Sequence, residues 1–392
     1  MMRTTALIVA CLWLVSTDAQ PVNTVEQWGL FEIELQGPSG GNPFVEVDVS
    51  AEFSHDATSI VVPGFYDGDG VYRIRLMPDR PGEWRYVTRS NSPMLSGHEG
   101  SLVVVSPDRE NHGPVRVRGE HHFAYADGTP YRPLGTTAYT WTHRTDEIEA
   151  ETLRTLAASP FNKMRMAVLP QDHGSEYMPP PRFPFEGTPP DNWDTSRFNP
   201  DFFRHLEKRL AQLLDMGIEC DLILFHPYGK TWGFHELDAD TDDRFVRYVI
   251  ARLAAYRNIW WSLANEYDFV RSKNESDWDR LFQVVMEADP YDHLRSIHNG
   301  NRIYNHTLPW VTHVSMQNGP AVEDAGRAEL LRDVYRKPVI IDEARYEGNF
   351  MRWGNLSAEE MVHRIWSGTV AGIYVGHGEY FIDPQQVTWL GS

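Results

Sequence analysis

Cysteine is nearly absent from this chain: only Cys11 and Cys220 occur among 392 residues. Cys11 belongs to an N-terminal segment that we expect to be removed, which leaves Cys220 without a partner for an intrachain disulfide. Cys220 lies in the apolar run 218–225, and this position predicts a small buried side chain and not a nucleophile. Disulfide-stapled folds are therefore excluded, and with 41% apolar residues the chain can form a large hydrophobic core instead.

Positive charge is also scarce, because 36 Lys and Arg residues face 55 Asp and Glu residues and the formal net charge is −19. An acidic surface repels phosphate backbones, so we expect no nucleic acid partner. The charge otherwise indicates only solubility. Metal-site spacings such as His-x-x-x-His or His-Glu-x-x-His are missing despite 16 His residues, and we predict no metal and no cofactor.

Long apolar runs are missing except near the N-terminus. Residues 6–15 form one after Arg3, and the small residues Thr17 and Ala19 follow it, which predicts a cleaved secretory signal over residues 1–19. A lipoprotein signal at Cys11 is the alternative, but apolar residues would then follow the lipidated cysteine. The run is too short to cross a membrane. We expect a secreted, periplasmic or cell-surface protein without a membrane span, and its oligomeric state stays open.

The remaining sequence has two regions that differ in the spacing of their apolar residues. From about residue 23 to 107, short runs with period-two alternation are separated by clusters of Gly, Pro, Asn and Asp, which predicts an antiparallel β-sandwich of immunoglobulin-like type. Residues 108–130 are predicted to be a linker with a hairpin around residues 126–128. From residue 131 to 392, strand-like runs alternate with helical periods, which predicts a parallel sheet.

Eight such strands predict a closed (β/α)8 barrel, so the expected fold class is multidomain, β followed by α/β. The predicted strands span 131–136, 163–169, 219–225, 259–263, 295–298, 312–316, 339–341 and 372–375. The predicted helices span 147–158, 201–216, 242–257, 276–287, 327–335 and 358–369. A loop over 171–199 is expected at the catalytic face. The sequence ends soon after strand eight, which leaves open whether the barrel is truncated.

Two glutamates follow predicted strands four and seven, at the barrel end where active sites lie. Glu266 comes after the run 259–263 and Glu343 after 339–341. Glycoside hydrolysis needs two carboxyl groups, one to protonate the leaving oxygen and one to attack the anomeric carbon, about 5–5.5 Å apart in retaining enzymes. Either glutamate alone is equally consistent with a helix cap or a surface carboxylate. Together, in register with the strand count, they predict a catalytic pair.

Other polar and aromatic residues near strand ends form the predicted substrate-binding set. Each one alone is also consistent with a structural role: a core ion pair for an arginine, a satisfied histidine, packing for a terminal tryptophan. Glu347 is a rival nucleophile, but it lies four residues further from the apolar run than Glu343. The predicted set is Arg165, His226, Tyr228, Asn265, His298, Gln317, Tyr346, His377, Glu379 and Trp389.

The motif Asn265-Glu266 after strand four, with Glu343 after strand seven, resembles glycoside hydrolase clan A. The resemblance implies that Glu266 is the acid/base, that Glu343 is the nucleophile and that Asn265 bonds the sugar 2-hydroxyl. It also implies that an arginine placed like Arg165 orients the nucleophile and keeps it ionised.

Two longer stretches narrow this resemblance. Residues 256–268, YRNIWWSLANEYD, and 337–349, KPVIIDEARYEGN, are similar to the apiosidase-like barrels of bacterial polysaccharide degradation. Those barrels often follow a β-sandwich domain, which residues 26–32 resemble. The similarity covers nearly the whole chain after the signal, and it does not specify the sugar.

The resulting hypothesis is a retaining glycosidase that acts on a plant, algal or microbial polysaccharide or oligosaccharide. The alternative is a non-catalytic carbohydrate-binding protein built on a glycosidase-like barrel. The two glutamates and Asn265 favour the enzyme, because a binding protein has no need of that trio. Transglycosylation uses the same residues, and the sequence does not separate it from hydrolysis.

Overall fold

The structure, a computed structural model, describes residues 23–172, 179–190, 192–323, 325–349 and 353–381. The predicted secretory signal and Trp389 lie outside the described residues. In the part that is described, no helix has both the length and the apolar character needed to cross a membrane.

Seven strands make up an N-terminal sheet with the order β1-β7-β6-β3-β4-β5-β2. Its strands are β1 (Asn23–Glu26), β2 (Phe31–Gln36), β3 (Val49–His55), β4 (Thr58–Tyr66), β5 (Val71–Leu76), β6 (Gly82–Ser90) and β7 (Glu99–Val105). β4 pairs with β3 up to Pro63 and with β5 from Gly64 onward. The change of partner falls at a proline, which has no N–H to continue a ladder.

This region is β-rich, as the sequence predicts, with two differences. The β1–β7 pair is parallel, whereas all other neighbours in the sheet are antiparallel. A one-turn helix, α1 (Pro43–Glu46), also lies between β2 and β3, where we expected no helix. Proline suits the first helical turn because the N–H groups there have no partner within the helix.

A small antiparallel sheet connects the two halves of the chain. It contains β8 (Val115–Arg118), β9 (His122–Tyr125) and β10 (Pro130–Tyr131), and the β9–β10 turn lies where the sequence predicts a hairpin. Phe123 and Tyr131 pack on Trp260 and Ile340, near the starts of two barrel strands. The small sheet therefore covers the end of the barrel opposite the predicted active site.

The remaining elements alternate along the chain. The strands are β11 (Gly135–Thr137), β12 (Lys163–Ala167), β13 (Phe185–Thr188), β14 (Asn192–Phe198), β15 (Glu219–Phe225), β16 (Ile259–Ala264), β17 (Arg295–Ser296), β18 (Val314–Gln317), β19 (Val339–Glu343), β20 (Tyr346–Gly348), β21 (Gly354–Leu356), β22 (Tyr374–Val375) and β23 (Glu379–Tyr380). The helices are α2 (Asp146–Ala157), α3 (Pro200–Asp215), α4 (Ala239–Leu253), α5 (Glu275–Ala288), α6 (Gly319–Glu323), α7 (Ala325–Tyr335) and α8 (Ala358–Val370).

Eight of these strands form the barrel. β11-β12-β15-β16-β17 make one parallel sheet and β18-β19-β22 another. The sheets meet at both edges, because the His377 N–H donates to the Gly135 carbonyl at 2.7 Å and the Thr312 N–H donates to the Arg295 carbonyl at 2.9 Å. Each strand of the nearly closed ring overlaps one of the eight predicted strands. The first one begins at Gly135 and not at residue 131, because residues 130–131 belong to the small antiparallel sheet. Each of the six predicted helices is present, displaced at its ends by at most four residues.

The barrel strands are buried on both faces, as parallel strands covered by helices must be. α3 shows how a helix is attached to them. Phe203, Leu206 and Leu210 are fully or almost fully buried, while the Asn199 side chain caps the helix by accepting from the Asp201 N–H. Cys220 is fully buried in β15 and has a free thiol, which confirms the sequence-based expectation.

The predicted loop over 171–199 contains a β-hairpin instead of irregular chain throughout. β13 and β14 pair in antiparallel fashion, and Phe185 faces Phe198 across the pair. The aromatic side chains at both ends find partners on other elements, a long-range effect that local turn signals do not reveal.

Buried ion pairs attach the N-terminal sheet to the barrel helices. Arg75 of β5 lies 2.8 Å from Glu207 of α3. Arg252 of α4 binds the same glutamate at 2.6 Å and Asp67, which follows β4, at 2.8 Å. All four side chains are at most 9% exposed, and hydrophobic residues of both regions form one continuous core around them. The two regions therefore pack as one body.

Candidate active site

Glu266 and Glu343 lie at the C-terminal ends of β16 and β19, on the same end of the barrel. Glu266 has a left-handed backbone with φ of 46°. The backbone on either side is held, since the Asn265 N–H donates to the Phe225 carbonyl at 3.0 Å and the Tyr267 N–H to the His298 carbonyl at 2.9 Å. Such strained backbones persist where the surrounding structure enforces them and are common at functional sites.

The two carboxyl groups are joined by one side chain. The Gln317 amide nitrogen donates to Oε2 of Glu343 at 3.0 Å and to Oε1 of Glu266 at 2.9 Å, and this orientation of the amide places its donor against two acceptors. Because both oxygens lie within 3.0 Å of one nitrogen, they can be no more than about 6 Å apart.

Glu343 is almost completely buried among groups that favour its charged form. The Tyr139 hydroxyl donates to Oε1, and Nε2 of His298 lies 3.8 Å from Oε2, an electrostatic contact too long for a hydrogen bond. Burial by itself raises the pKa of Glu343, but His298, the Tyr139 hydroxyl and the Arg165 guanidinium outweigh it and bring the pKa below its usual range. Glu343 is therefore ionised at neutral pH.

A buried chain of polar groups supports His298 from below. Its Nδ1 lies 3.2 Å from the Ser315 hydroxyl, which donates to Asp342 at 2.5 Å. Asp342 in turn accepts from the Lys163 ammonium at 2.8 Å. Because the serine gives its own proton to Asp342, it accepts from His298, and the imidazole is held with Nε2 towards Glu343.

Glu266 has the opposite electrostatic environment. Burial, followed by the negative charges of Glu343 and Asp268, raises the pKa of Glu266 to about 8. The Tyr228 hydroxyl donates to Oε2 of the same carboxyl group. Two carboxyl groups at one site thus have pKa values pushed apart, the arrangement that lets one be ionised while the other holds a proton.

Arg165 lies beneath this pair and does not touch Glu343. Its guanidinium donates to Asp221, Ser262 and the Asn265 side-chain oxygen, each at 3.1 Å. The resemblance implies that Arg165 orients the nucleophile and keeps it ionised. This 1% exposed cation does lower the pKa of Glu343 through space, but the side chain that it orients is the Asn265 amide.

A cavity of about 190 Å³ opens at the two glutamates. Half of the residues that line it are aromatic, and aromatic faces stack on the apolar faces of sugar rings. The lining residues are Tyr139, Gln171, Tyr228, Asn265, Glu266, Gln317, Glu343, Tyr346, Trp353 and Tyr380.

Four of the predicted binding residues line this cavity: Tyr228, Asn265, Gln317 and Tyr346. We had also expected Arg165, His226, His298 and His377 to face it, and the structure places these four behind its wall. Strand-end position does not reveal which way a side chain turns, and all four find their partners in the barrel interior or on neighbouring strands.

His226 and His377 illustrate this. His226 donates from Nε2 to the Leu169 carbonyl at 2.8 Å and accepts from the Tyr228 N–H at 3.1 Å, so it orders the loop. Nδ1 of His377 lies 3.0 Å from the Thr136 hydroxyl, its ring stacks on Phe161, and burial lowers its pKa to about 4.

Of the two remaining predicted binding residues, Glu379 does not line the described cavity. Glu379 of β23 pairs with Glu347 of β20, and burial together with that neighbouring charge raises the pKa of Glu379 to about 7. Trp389 lies outside the described residues.

Four lining residues were missed from the sequence: Tyr139, Gln171, Trp353 and Tyr380. Tyr139 follows β11 by two residues and Gln171 follows β12 by four, so reading the ends of strands one and two would have found both. Trp353 and Tyr380 reach the cavity from the small sheet β21-β20-β23, which has no strand-end signal in the sequence.

One group of three potential metal ligands occurs among the described residues, namely Asp146, Glu149 and His205. Arg209 already binds Glu149 at 2.6 Å, and His205 lies 2.8 Å from the same carboxylate. The Arg209 guanidinium therefore already pairs with Glu149, and these contacts describe an ion-pair network.

Two family models match the sequence. Residues 118–379 match the model described as "Apiosidase-like, catalytic domain", and residues 24–91 match the model described as "Domain of unknown function (DUF5060)". The first match covers about two thirds of the chain and includes both glutamates. No curated protein matches the sequence significantly.

Solved structures resemble most of this chain. A protein of Bacteroides vulgatus ATCC 8482, named as a candidate glycoside hydrolase, is 44% identical over 94% of this chain and 74% of its own, with a TM-score of 0.92. A structure named "Glycoside hydrolase" is 18% identical over 72% and 69%, with a TM-score of 0.54. A glycoside hydrolase family 5 protein of the same Bacteroides strain is 18% identical over 72% and 66%, with a TM-score of 0.53. The last two show a shared glycosidase barrel fold.

Proposed function

The chain is a glycosidase of the apiosidase-like family, and we propose that it hydrolyses a glycosidic bond with retention of anomeric configuration, by double displacement at Glu343 and Glu266. In the first step the Glu343 carboxylate attacks the anomeric carbon while Glu266 gives its proton to the leaving oxygen. In the second step Glu266, now ionised, takes a proton from water, and the hydroxide displaces Glu343 from the sugar.

The observation that carries the proposal is the Gln317 bridge. It limits the two bridged oxygens, one from each carboxyl group, to a separation of at most about 6 Å. Retaining enzymes have about 5–5.5 Å between carboxyl groups, whereas inverting enzymes need about 6.5–9.5 Å to admit a water molecule. A separation of at most about 6 Å between the bridged oxygens favours the retaining mechanism.

The division of roles follows from the surroundings of each carboxyl group. A nucleophile must be ionised, and the Tyr139 hydroxyl with nearby His298 favours that form of Glu343. A general acid must hold a proton, and Glu266 does so up to a pH of about 8. After glycosylation of Glu343 removes one negative charge, the pKa of Glu266 falls, which suits its second role as a base.

Substrate recognition is proposed from the cavity. The side-chain oxygen of Asn265 accepts a hydrogen bond from Arg165. The Asn265 amide nitrogen is therefore the group that can donate to a sugar 2-hydroxyl. The aromatic walls suit stacking on sugar faces. We propose a plant, algal or microbial polysaccharide or oligosaccharide as substrate and a location outside the cytoplasm.

The finer architecture is proposed with it. The bend of β4 from one set of strand partners to another suits a β-sandwich over about residues 23–107. Residues 108–130 form the connecting segment. Residues 131–392 form the catalytic region, a (β/α)8 barrel.

A panel of aryl glycosides tests the mechanism. The aryl glycoside that is turned over should release first the anomer of the same configuration, seen by proton NMR before mutarotation. Its 2-deoxy-2-fluoro analogue should label Glu343, located by peptide mass spectrometry, and Glu343→Gln is the unlabelled control. Release of the inverted anomer contradicts the proposal. Binding of carbohydrate without turnover of any glycoside would indicate a non-catalytic binding protein instead.

A further inference from the structure

A β-hairpin lies between the N-terminal sheet and the catalytic loop that follows β15. We call β13–β14, residues 185–198, the bridging hairpin; the structure describes it except for residue 191. One side of it contacts the segment around α1 of the N-terminal region. The other side contacts residues 226–236, which we call the acid/base loop.

The first contact, between the N-terminal region and the hairpin, is made by the side chain of Asn42. Asn42 occupies the N-cap position of α1 but makes no capping hydrogen bond. Its amide nitrogen donates instead to Ser196 of β14, at 2.8 Å to the hydroxyl and 3.2 Å to the carbonyl. Arg197 donates to the Gly41 carbonyl, and the Phe44 ring packs edge-on against Phe198 with centroids 5.7 Å apart.

The second contact is made by Trp193 of β14. Its indole N–H donates to the Trp232 carbonyl at 2.9 Å. Its ring also lies 5.5 Å from that of Phe234, between centroids. Both partners belong to the acid/base loop, so the hairpin fixes the backbone and one side chain of that loop.

The acid/base loop delivers Tyr228 to the active site. The N–H groups of Trp232 and Phe234 both donate to the Gly229 carbonyl at 3.2 Å, which folds the loop back next to Tyr228. The Tyr228 hydroxyl donates to Glu266. A continuous set of contacts thus runs from Asn42 through the hairpin and the loop to the acid/base.

We propose that the N-terminal sheet is a positioning element for catalysis, which holds the Tyr228 hydroxyl on Glu266 through the bridging hairpin and the acid/base loop. The proposal rests on the proposed role of Glu266. It assigns a function to the N-terminal region, whose family is described as a domain of unknown function. The loop is also anchored at the Tyr228 carbonyl, which accepts from the Asp172 N–H at 2.7 Å, and at the His235 carbonyl, which accepts from the Ser272 hydroxyl at 2.6 Å. The hairpin adds the contacts to residues 232–234 between these two points, and in this way it supplies preorganisation.

The test uses two variants that break the contacts without touching the active site. Trp193→Phe removes the indole N–H and keeps an aromatic ring, and Asn42→Ala removes the donor to Ser196. Tyr228→Phe is the reference for loss of the final contact. Tyr291→Phe is the matched control, because its hydroxyl joins the same two regions through Met77 and Arg75 without contacting the hairpin.

Two measurements are made on the full chain. The first is the titration of Glu266 by carbon NMR of protein labelled at the glutamate carboxyl carbon, with the resonance assigned from Glu266→Gln. The second is kcat and KM on an aryl glycoside that the wild type hydrolyses. The first needs no activity, so it decides the positioning role even if the chain hydrolyses no glycoside and the proposed function fails.

We expect Trp193→Phe and Asn42→Ala to shift the Glu266 midpoint in the same direction as Tyr228→Phe. Both should lower kcat about two- to tenfold, the range that one lost hydrogen bond produces, with little change in KM. Tyr291→Phe should leave both quantities at wild-type values. In a Tyr228→Phe background, Trp193→Phe should add nothing, because the link through which it acts is already lost.

Three results would overturn the proposal: a wild-type Glu266 midpoint in both Trp193→Phe and Asn42→Ala, a full additional effect of Trp193→Phe in the Tyr228→Phe background, or an equal shift in Tyr291→Phe. The last would mean that general loosening of the domain contact, and not the hairpin, reaches the active site.

Discussion

At the scale of single residues, Glu343 and Glu266 have the same side chain and different surroundings. Tyr139 and His298 favour the charged form of Glu343, whereas burial and neighbouring negative charges favour the protonated form of Glu266. Their roles therefore separate in variants that remove one carboxyl group at a time.

Glu343→Ala should lower kcat by a factor on the order of 10⁴–10⁶, as loss of a nucleophile does. Azide should restore activity and give a product of inverted configuration, since it attacks from the nucleophile's side without a covalent intermediate. Glu347→Ala, which removes the rival carboxylate outside the cavity, should keep activity. NMR of the glycosyl azide gives the configuration.

Glu266→Ala should lower kcat about 10²- to 10⁴-fold on substrates whose leaving group needs a proton. On dinitrophenyl glycosides the decrease should be far smaller. Azide should rescue this variant with retained configuration, because the glycosyl-Glu343 intermediate still forms. If the two rescue patterns were exchanged, the assignment of acid/base and nucleophile would be exchanged too.

The pH dependence of kcat/KM reports the same pair in the free enzyme. Activity should rise as Glu343 ionises below its ordinary range and fall as Glu266 loses its proton near pH 8. Removing the neighbouring charge in Glu343→Gln should lower the Glu266 midpoint, measured by carboxyl-carbon NMR. An unchanged midpoint would show that burial and Asp268 raise the pKa without a contribution from Glu343.

At the scale of elements, several helices begin after a residue whose side chain caps them. Ser357 precedes α8, and its hydroxyl accepts from the Glu360 N–H at 3.2 Å on the exposed surface. Ser357→Ala should lower the free energy of unfolding by about 0.5–2 kcal/mol. Ser357→Asp, which keeps an acceptor at the N-cap, should stay close to wild type. Urea unfolding measures both, and equal losses would rule out capping as the cause.

The hairpin within residues 171–199 marks where local signals fail. The stretch is rich in Pro and Gly and reads as a loop, yet Phe185, Trp193 and Phe198 make it an ordered pair of strands. Their partners lie on α1, α4 and the acid/base loop, far away in the sequence. Pairing that depends on distant packing cannot be read from a short window.

At the scale of the whole molecule, ionisable groups inside the barrel make stability depend on pH. Glu219 at the start of β15 accepts from the Trp260 indole at 2.8 Å, and burial raises its pKa to about 8. The folded state therefore keeps a proton that the unfolded chain loses above about pH 4.5. Its contribution to stability is complete below that pH and is lost as pH rises through about 8.

Glu219→Gln should remove this loss, since an amide oxygen can still accept from Trp260 and does not titrate. The difference in free energy of unfolding between the variant and the wild type should grow in favour of the variant between about pH 4.5 and 8 and reach a few kcal/mol. Urea unfolding at several pH values measures it. A constant difference across that range would mean that Glu219 is ionised in the folded protein.

Buried histidines act at the acidic end. Burial lowers the pKa of His143 and of His306 to about 3 and that of His313 to about 4. Below about pH 6.5 these histidines become protonated in the unfolded chain but stay neutral in the folded protein. The free energy of unfolding therefore decreases as pH falls from about 6.5 towards 4. In His306→Phe the slope of stability against pH over this window should be smaller by about one proton. An unchanged slope would contradict the burial of His306.

The sequence by itself determined what depends on neighbours along the chain. Periodicity located eight barrel strands and six helices, and the end of each strand run placed Glu266 and Glu343 at one end of the barrel. These features follow from local rules: a residue's face is set by its spacing, and parallel strands end together.

The tertiary structure alone decided which side chains meet. Tyr139 contacts Glu343 from 204 residues away, and Gln317 reaches both carboxyl groups from a third strand. The separation of the carboxyl groups, their opposite pKa shifts and the attachment of the bridging hairpin all depend on such contacts. They could not be read from the sequence because spacing states which way a strand faces, whereas burial and charge at a point are sums over every element packed around it.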